Sequence, residues 1–194
     1  MSRLVFSGTQ EHALLALVIQ EADQSSRVSY LGRMALQKIV YFLKALGVPM
    51  RYSFDIHHYG PYSDQVTSDM ELLMADGIVE DRATTTPKYW NYAPKPGGPV
   101  DMLFAEHEAF VNAHREIVKN LLNSLGQLEP RQLELLDTLH YAYRYEMASA
   151  PQPSKAAVLS RFREYKGNKF PPDELSDAYE LMVNTNLIRP RDVR

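Results

Sequence analysis

Leu36-Gln37-Lys38-Ile39-Val40-Tyr41-Phe42-Leu43-Lys44-Ala45-Leu46-Gly47-Val48-Pro49 is the stretch from which the rest of the chain is read. Leu36, Ile39, Val40, Leu43 and Leu46 recur at three- and four-residue spacing, which places them on one face of a helix. Gln37, Lys38, Tyr41 and Lys44 fall on other faces. Gly47 is suited to the left-handed conformation that closes a helix, and Pro49 cannot continue one. Arg51 to His58 then alternates like a strand, with Tyr52, Phe54 and Ile56 on one side. Gly60-Pro61 is expected to turn the chain, and Ser63 to cap a second helix with Val66, Met70, Leu73 and Met74 as its apolar face. Asp76-Gly77 ends that helix. Ile78 to Arg82 and Lys88 to Tyr92 read as two short strands.

This order predicts a mainly α protein. A winged-helix-like half over 1–93, with a small β-hairpin, packs against a helical half over 101–194. Pro94-Lys95-Pro96-Gly97-Gly98-Pro99 is the linker candidate (94–100), because it cannot hold regular structure. At 194 residues the chain fits a single domain of this kind, or two halves sharing a core. Upstream, Thr9 is expected to cap a first helix with Leu14, Leu17 and Val18 buried. Downstream, a long helix is expected from Asp101 to Leu125, with Phe110, His114, Ile117, Leu121 and Leu125 on one face. Another begins near Pro130 and carries Leu133, Leu136, Leu139 and Tyr143. Lys155 to Tyr165 and Pro172 to Val183 complete the helices.

Leu36-Gln37-Lys38 opening an aromatic-rich helix, His58-Tyr59-Gly60-Pro61-Tyr62-Ser63, and Leu72-Leu73 to Gly77-Ile78-Val79 together resemble the SocA-like (Panacea) antitoxin domain and its YwgA-like relatives. The resemblance is clearest over Leu31 to Val79, with a weaker echo in Leu133 to Tyr141. It implies a protein that binds and neutralises a partner toxin in a bacterial cytoplasm.

Composition excludes some chemistries. There is no cysteine, hence no disulfide or thiolate, which fits a reducing compartment. The formal net charge of -3 gives no global attraction to nucleic acid or anionic membrane. No stretch is apolar for long enough to span a bilayer, and Met1 to Phe6 is too short an apolar run for a signal peptide. His107-Glu108 lacks the second histidine of a metalloprotease helix, because Val111 stands in its place. His107 and His114 as metal ligands are weighed below helix-surface histidines. No nucleophile elbow or phosphate loop is present, so no cofactor is expected and the chain is read as non-enzymatic.

Two binding readings remain. Winged helices commonly enter the major groove, but Ser63 to Gly77 carries Asp64, Asp69, Glu71 and Asp76 and no Lys or Arg, which phosphates would repel. The basic run Lys155, Arg161, Arg163, Lys166 and Lys169, interleaved with Phe162, Tyr165 and Phe170, reads first as a solvated helix face. A DNA-binding regulator is therefore the alternative. The leading reading is a protein-binding surface on Gln37, Lys38, Tyr41, Tyr59 and Tyr62, off the inward-packing stripe, with Gln37 and Tyr41 neighbours at i,i+4. Its rival holds that Gln37 and Lys38 satisfy backbone groups of the following turn from within.

Overall fold

Ala13-Leu14-Leu15-Ala16-Leu17-Val18-Ile19 has no polar gap, and a helix that is apolar all round must be enclosed. In the computed structural model, which describes residues 6–28, 30–83 and 91–188, this run is the middle of α1 (Gln10–Gln24), and every one of its residues is buried. Thr9 caps it as expected: its side chain accepts from the His12 N–H, and His12 reaches back to the cap in a capping box.

The chain divides into two compact units. The first comprises Met1–Phe54 and Ser63–Leu128, the second Asp55–Tyr62 and Glu129–Arg194. In the first unit α1 packs on α3 (Asp64–Ala75), α4 (Val100–Glu106), α5 (Glu108–Leu125) and β4 (Tyr92–Pro94). α2 (Arg33–Ala45) packs on α5. β3 (Val79–Asp81) pairs antiparallel with β4, Glu80 opposite Ala93. The expected linker, residues 94–100, lies inside this unit: Pro94 ends β4, Val100 opens α4, and only residues 95–99 connect them. The Lys88 to Trp90 part of the expected second strand lies outside the described residues.

The expected single helix over 101–125 is two. His107 leaves helical dihedrals (φ -122, ψ 29), and its Nε2 lies 3.1 Å from the Gly8 carbonyl. The break thus follows a tertiary contact rather than a proline or glycine. Val111, Val118 and Leu122 are buried along with Phe110, Leu121 and Leu125, so the inward face of α5 is rotated from the one expected through His114 and Ile117.

In the second unit β1 (Asp55–His57) pairs antiparallel with β2 (Gly60–Tyr62), His57 opposite Gly60. The turn is therefore His58-Tyr59, and Gly60-Pro61 lies in the returning strand, a correction to the expected turn. β2 packs on α6 (Pro130–Met147), which also carries α7 (Lys155–Lys166) and α8 (Pro172–Asn184). Leu133, Leu136, Leu139 and Tyr143 form the buried face of α6. The protein is thus mainly α with two small antiparallel strand pairs among the described residues, and none of their helices is long and apolar enough to cross a membrane.

Candidate functional site

α2 turns more than one face inward. Leu36, Ile39, Val40 and Leu43 are buried as expected, but so are Gln37, Lys38 and Tyr41. Their expected position off the packed stripe is corrected, and for Gln37 the reason is visible. Its Nε2 donates to the Ser63 carbonyl at 2.9 Å, and its Oε1 accepts the Ser63 N–H at 3.0 Å. Buried backbone groups need partners, and a side-chain amide supplies one donor and one acceptor at once. Ser63 stands at the start of α3 but makes no side-chain cap bond; its main chain is held by Gln37 instead. Tyr41 packs edge-on against Phe42 and Phe54.

Behind this clamp, the Tyr52 hydroxyl donates to Asp69 Oδ2 at 2.8 Å, and burial pushes its ionisation up, with Asp69 adding to the shift. His12 Nδ1 accepts the N–H groups of Gly8 and Thr9, which leaves Nε2 facing Asp69 Oδ1 at 3.4 Å. Three segments of the first unit are joined there through one carboxylate.

Tyr59 and Tyr62 belong to the second unit, on the β1–β2 hairpin. Tyr62 is half-buried with the His57 ring 5.2 Å away, whereas Tyr59, in the turn, is 52% exposed. The backbone beneath Tyr59 is tightly held. Lys166 Nζ donates to the His58 carbonyl at 2.5 Å and to Glu134 Oε1 at 2.7 Å. Lys169 Nζ donates to both Glu134 oxygens at 2.6 and 2.8 Å, and sits 5.3 Å from the Tyr59 ring centre. Gly60 has φ +97, and a Cβ there would come within 2.7 Å of Asp137 Oδ1 and 2.8 Å of Thr138 Oγ1. Only a glycine lets the hairpin lie this close to α6.

The electrostatics follow from burial. Desolvation works to raise the Glu134 carboxyl, but the hydrogen bonds from Lys166 and Lys169 outweigh it and hold Glu134 below the usual range. Desolvation pulls the Lys166 ammonium down despite Glu134. Of the other cations in the basic run, Lys155 pairs with Glu180, and Arg161 pairs with Glu146 and Glu164 while lying over the Tyr145 ring. The run is therefore largely an ion-paired face rather than the simply solvated one expected. Arg163 is exposed. The separation among Tyr141, Tyr143 and Tyr145 is as their spacing requires: Tyr143 is buried and Tyr145 exposed.

His114 Nδ1 lies 2.8 Å from the Phe110 carbonyl, four residues back on the same helix. Among the described residues no group of three or more His, Asp or Glu is placed to hold a metal ion. Glu134 carries no local sequence signal, and Lys166 and Lys169 stand out in the sequence only as members of a basic run. The carboxylate that gathers them is 32 and 35 residues away, beyond any local pattern.

No family model matches the chain. It is 28% identical over 136 residues, 68% of its length, to a Bacillus subtilis (strain 168) protein called "Uncharacterized protein YwgA", of which it covers 74%. It is 26% identical over 168 residues, 84% of its length, to a "DNA ADP-ribosyl glycohydrolase" of Thermus aquaticus, and there it spans 44% of the relative. The YwgA-like part of the sequence resemblance is thus supported. The second similarity overturns the reading that set enzymatic function aside, since that relative is named for a catalytic activity.

Proposed function

We propose that this chain is a partner-binding module of the antitoxin-like, SocA-related kind, with Tyr59 on the β1–β2 hairpin as its anchor. The observation that carries the reading is an aromatic ring left half in water on a turn whose backbone is fixed from below. Tyr combines contact area with a polar handle and few rotatable bonds, so an anchor already held in place loses little freedom on binding. Lys166 and the close approach of Gly60 supply that holding. Gln37, Lys38 and Tyr41 serve the fold in this reading. A winged-helix-like arrangement of the N-terminal half is compatible with it. The DNA-binding alternative is less favoured, because α3 carries three carboxylates, with a fourth at its C-cap, and no cation, and most of the basic run is ion-paired.

A second reading is favoured by one specific observation, the similarity of 84% of the chain to a relative named DNA ADP-ribosyl glycohydrolase. Under it, the chain takes part in removing ADP-ribose from DNA.

One pair of experiments separates the two. The full chain and its Tyr59→Ala variant are co-expressed with the product of the adjacent gene and compared in affinity capture and thermal stability. Loss of capture by about tenfold or more with melting unchanged supports the module; equal capture by both proteins refutes Tyr59 as anchor. Release of free ADP-ribose from an ADP-ribosylated oligonucleotide by the purified chain establishes the second reading.

A further inference from the structure

Glu21 is a buried carboxylate of the first unit, far in sequence from the hairpin and its helices. It stands on α1 facing α5, with its side chain 3% exposed. Arg115 of α5 pairs with its Oε1. Near Oε2 stands the Lys119 ammonium, 3.9 Å away, and that ammonium is 3.6 Å from Glu116 Oε1. Both separations exceed hydrogen-bond length. Among the described residues, Glu21 Oε2 thus accepts no hydrogen bond and Lys119 Nζ donates none. A buried acceptor left short calls for a missing partner. The two groups open onto a cavity of about 300 Å³, lined also by Gln24, Ser25, Leu122 and Asn123.

We infer that this cavity between α1 and α5 binds a neutral sugar through two neighbouring hydroxyls, independently of both readings above. A hydroxyl oxygen about 2.8 Å from each group completes the open pair, since it accepts from the ammonium and donates to the carboxylate. One water does the same, but the cavity holds roughly ten times a water's share of liquid volume. The rest of the lining suits a larger guest. Gln24 and Asn123 each bring a side-chain amide, donor and acceptor together, with no hydrogen bond among the described residues. Ser25 Oγ accepts the Arg27 N–H and keeps its own proton to give. Leu122 adds apolar surface for the C–H groups of a ring. Glu21 and Lys119 are the charged members of the lining, one of each sign, so a cation would face the ammonium and an anion the carboxylate. A neutral diol meets neither penalty, one hydroxyl bridging the charges and its neighbour reaching an amide.

The test uses the full chain, labelled with nitrogen-15 and titrated with methyl ribofuranoside, whose paired hydroxyls leave the ring on one edge. The matching methyl deoxyriboside, which lacks one of that pair, is titrated separately, as are acetate and methylammonium. The riboside should give saturable shifts of the Gln24, Ser25 and Asn123 amides, with an affinity that does not change as salt is raised, because the ligand carries no charge. The deoxyriboside should bind about tenfold more weakly. Lys119→Met removes a donor that makes no hydrogen bond in the fold and leaves the Glu21–Arg115 pair intact, so melting should hold while riboside affinity drops about tenfold. No saturable shift with the riboside, equal affinity for the deoxyriboside, equal affinity in Lys119→Met, or tighter binding of acetate or methylammonium overturns the inference.

Discussion

Gly60 and Gly47 form a natural pair for measuring how much of the hairpin's fixation comes from close approach. Their backbones are nearly alike, with φ +97 and φ +93. They differ in surroundings: a Cβ on Gly47 meets nothing within 4 Å, whereas one on Gly60 collides with Asp137 and Thr138, both fully buried. Gly47→Ala should therefore show the conformational term alone, about 1–2 kcal/mol for forcing an L residue to positive φ. Gly60→Ala carries the same term. It must also displace a buried carboxylate and hydroxyl from their partners, which adds about 1–3 kcal/mol. The expected loss is about 2–5 kcal/mol, or roughly 4–20 °C of melting temperature for a chain of this size. Urea unfolding gives the totals. Amide hydrogen exchange in α6 and in α2 reads each unit by itself. Equal losses in the two variants, within about 0.5 kcal/mol, would refute the reasoning, since backbone strain would then account for everything and the approach to α6 for nothing.

Two further outcomes follow from buried polar groups. His140 is enclosed in α6, and burial, aided by Arg144, lowers its pKa to about 4 from an ordinary 6.5. Between those values the unfolded chain binds a proton that the folded one refuses, so stability should fall as pH drops from 6.5 to 4, by up to about 3 kcal/mol; His140→Gln should flatten that part of the profile, and an unchanged slope would show that His140 is not responsible. Gln37→Leu strips both partners from the Ser63 main chain and should cost about 2–4 kcal/mol by urea unfolding, while a loss under about 0.5 kcal/mol would mean that water replaces the amide at no cost.

What could be read in advance was what depends on near neighbours. The Thr9 cap, the Gly47 terminator, the apolar faces of α3 and α6, and the ends of α7 and α8 follow from residues three or four apart. Misreadings fall where a distant partner decides. His107 breaks a helix-forming stretch through a contact with Gly8. Gln37 is drawn inward by the main chain of Ser63, 26 residues on. The turn falls on His58-Tyr59 because Gly60 is needed in the strand that presses on Asp137 and Thr138. Likewise, a basic run cannot reveal that Glu134, Glu146 and Glu180 answer it from other helices. The apolar run of α1 is plain in the sequence, but the expectation of Leu14, Leu17 and Val18 alone as buried understates a segment enclosed on nearly every side.

The membership of the hairpin has a consequence for synthesis. Residues 55–62 leave the first unit and join the segment that begins at Glu129, and the Lys166 ammonium that grips the His58 carbonyl lies 108 residues downstream. At ribosomal speeds that interval is roughly 5–20 s. During it the hairpin has emerged but α6 and α7 have not, so Tyr59, Pro61 and Tyr62 are presented without the surface that receives them. Nascent chains halted before about residue 147 should thus keep the 55–62 amides unprotected, and chains completed through α7 should protect them in a single late step.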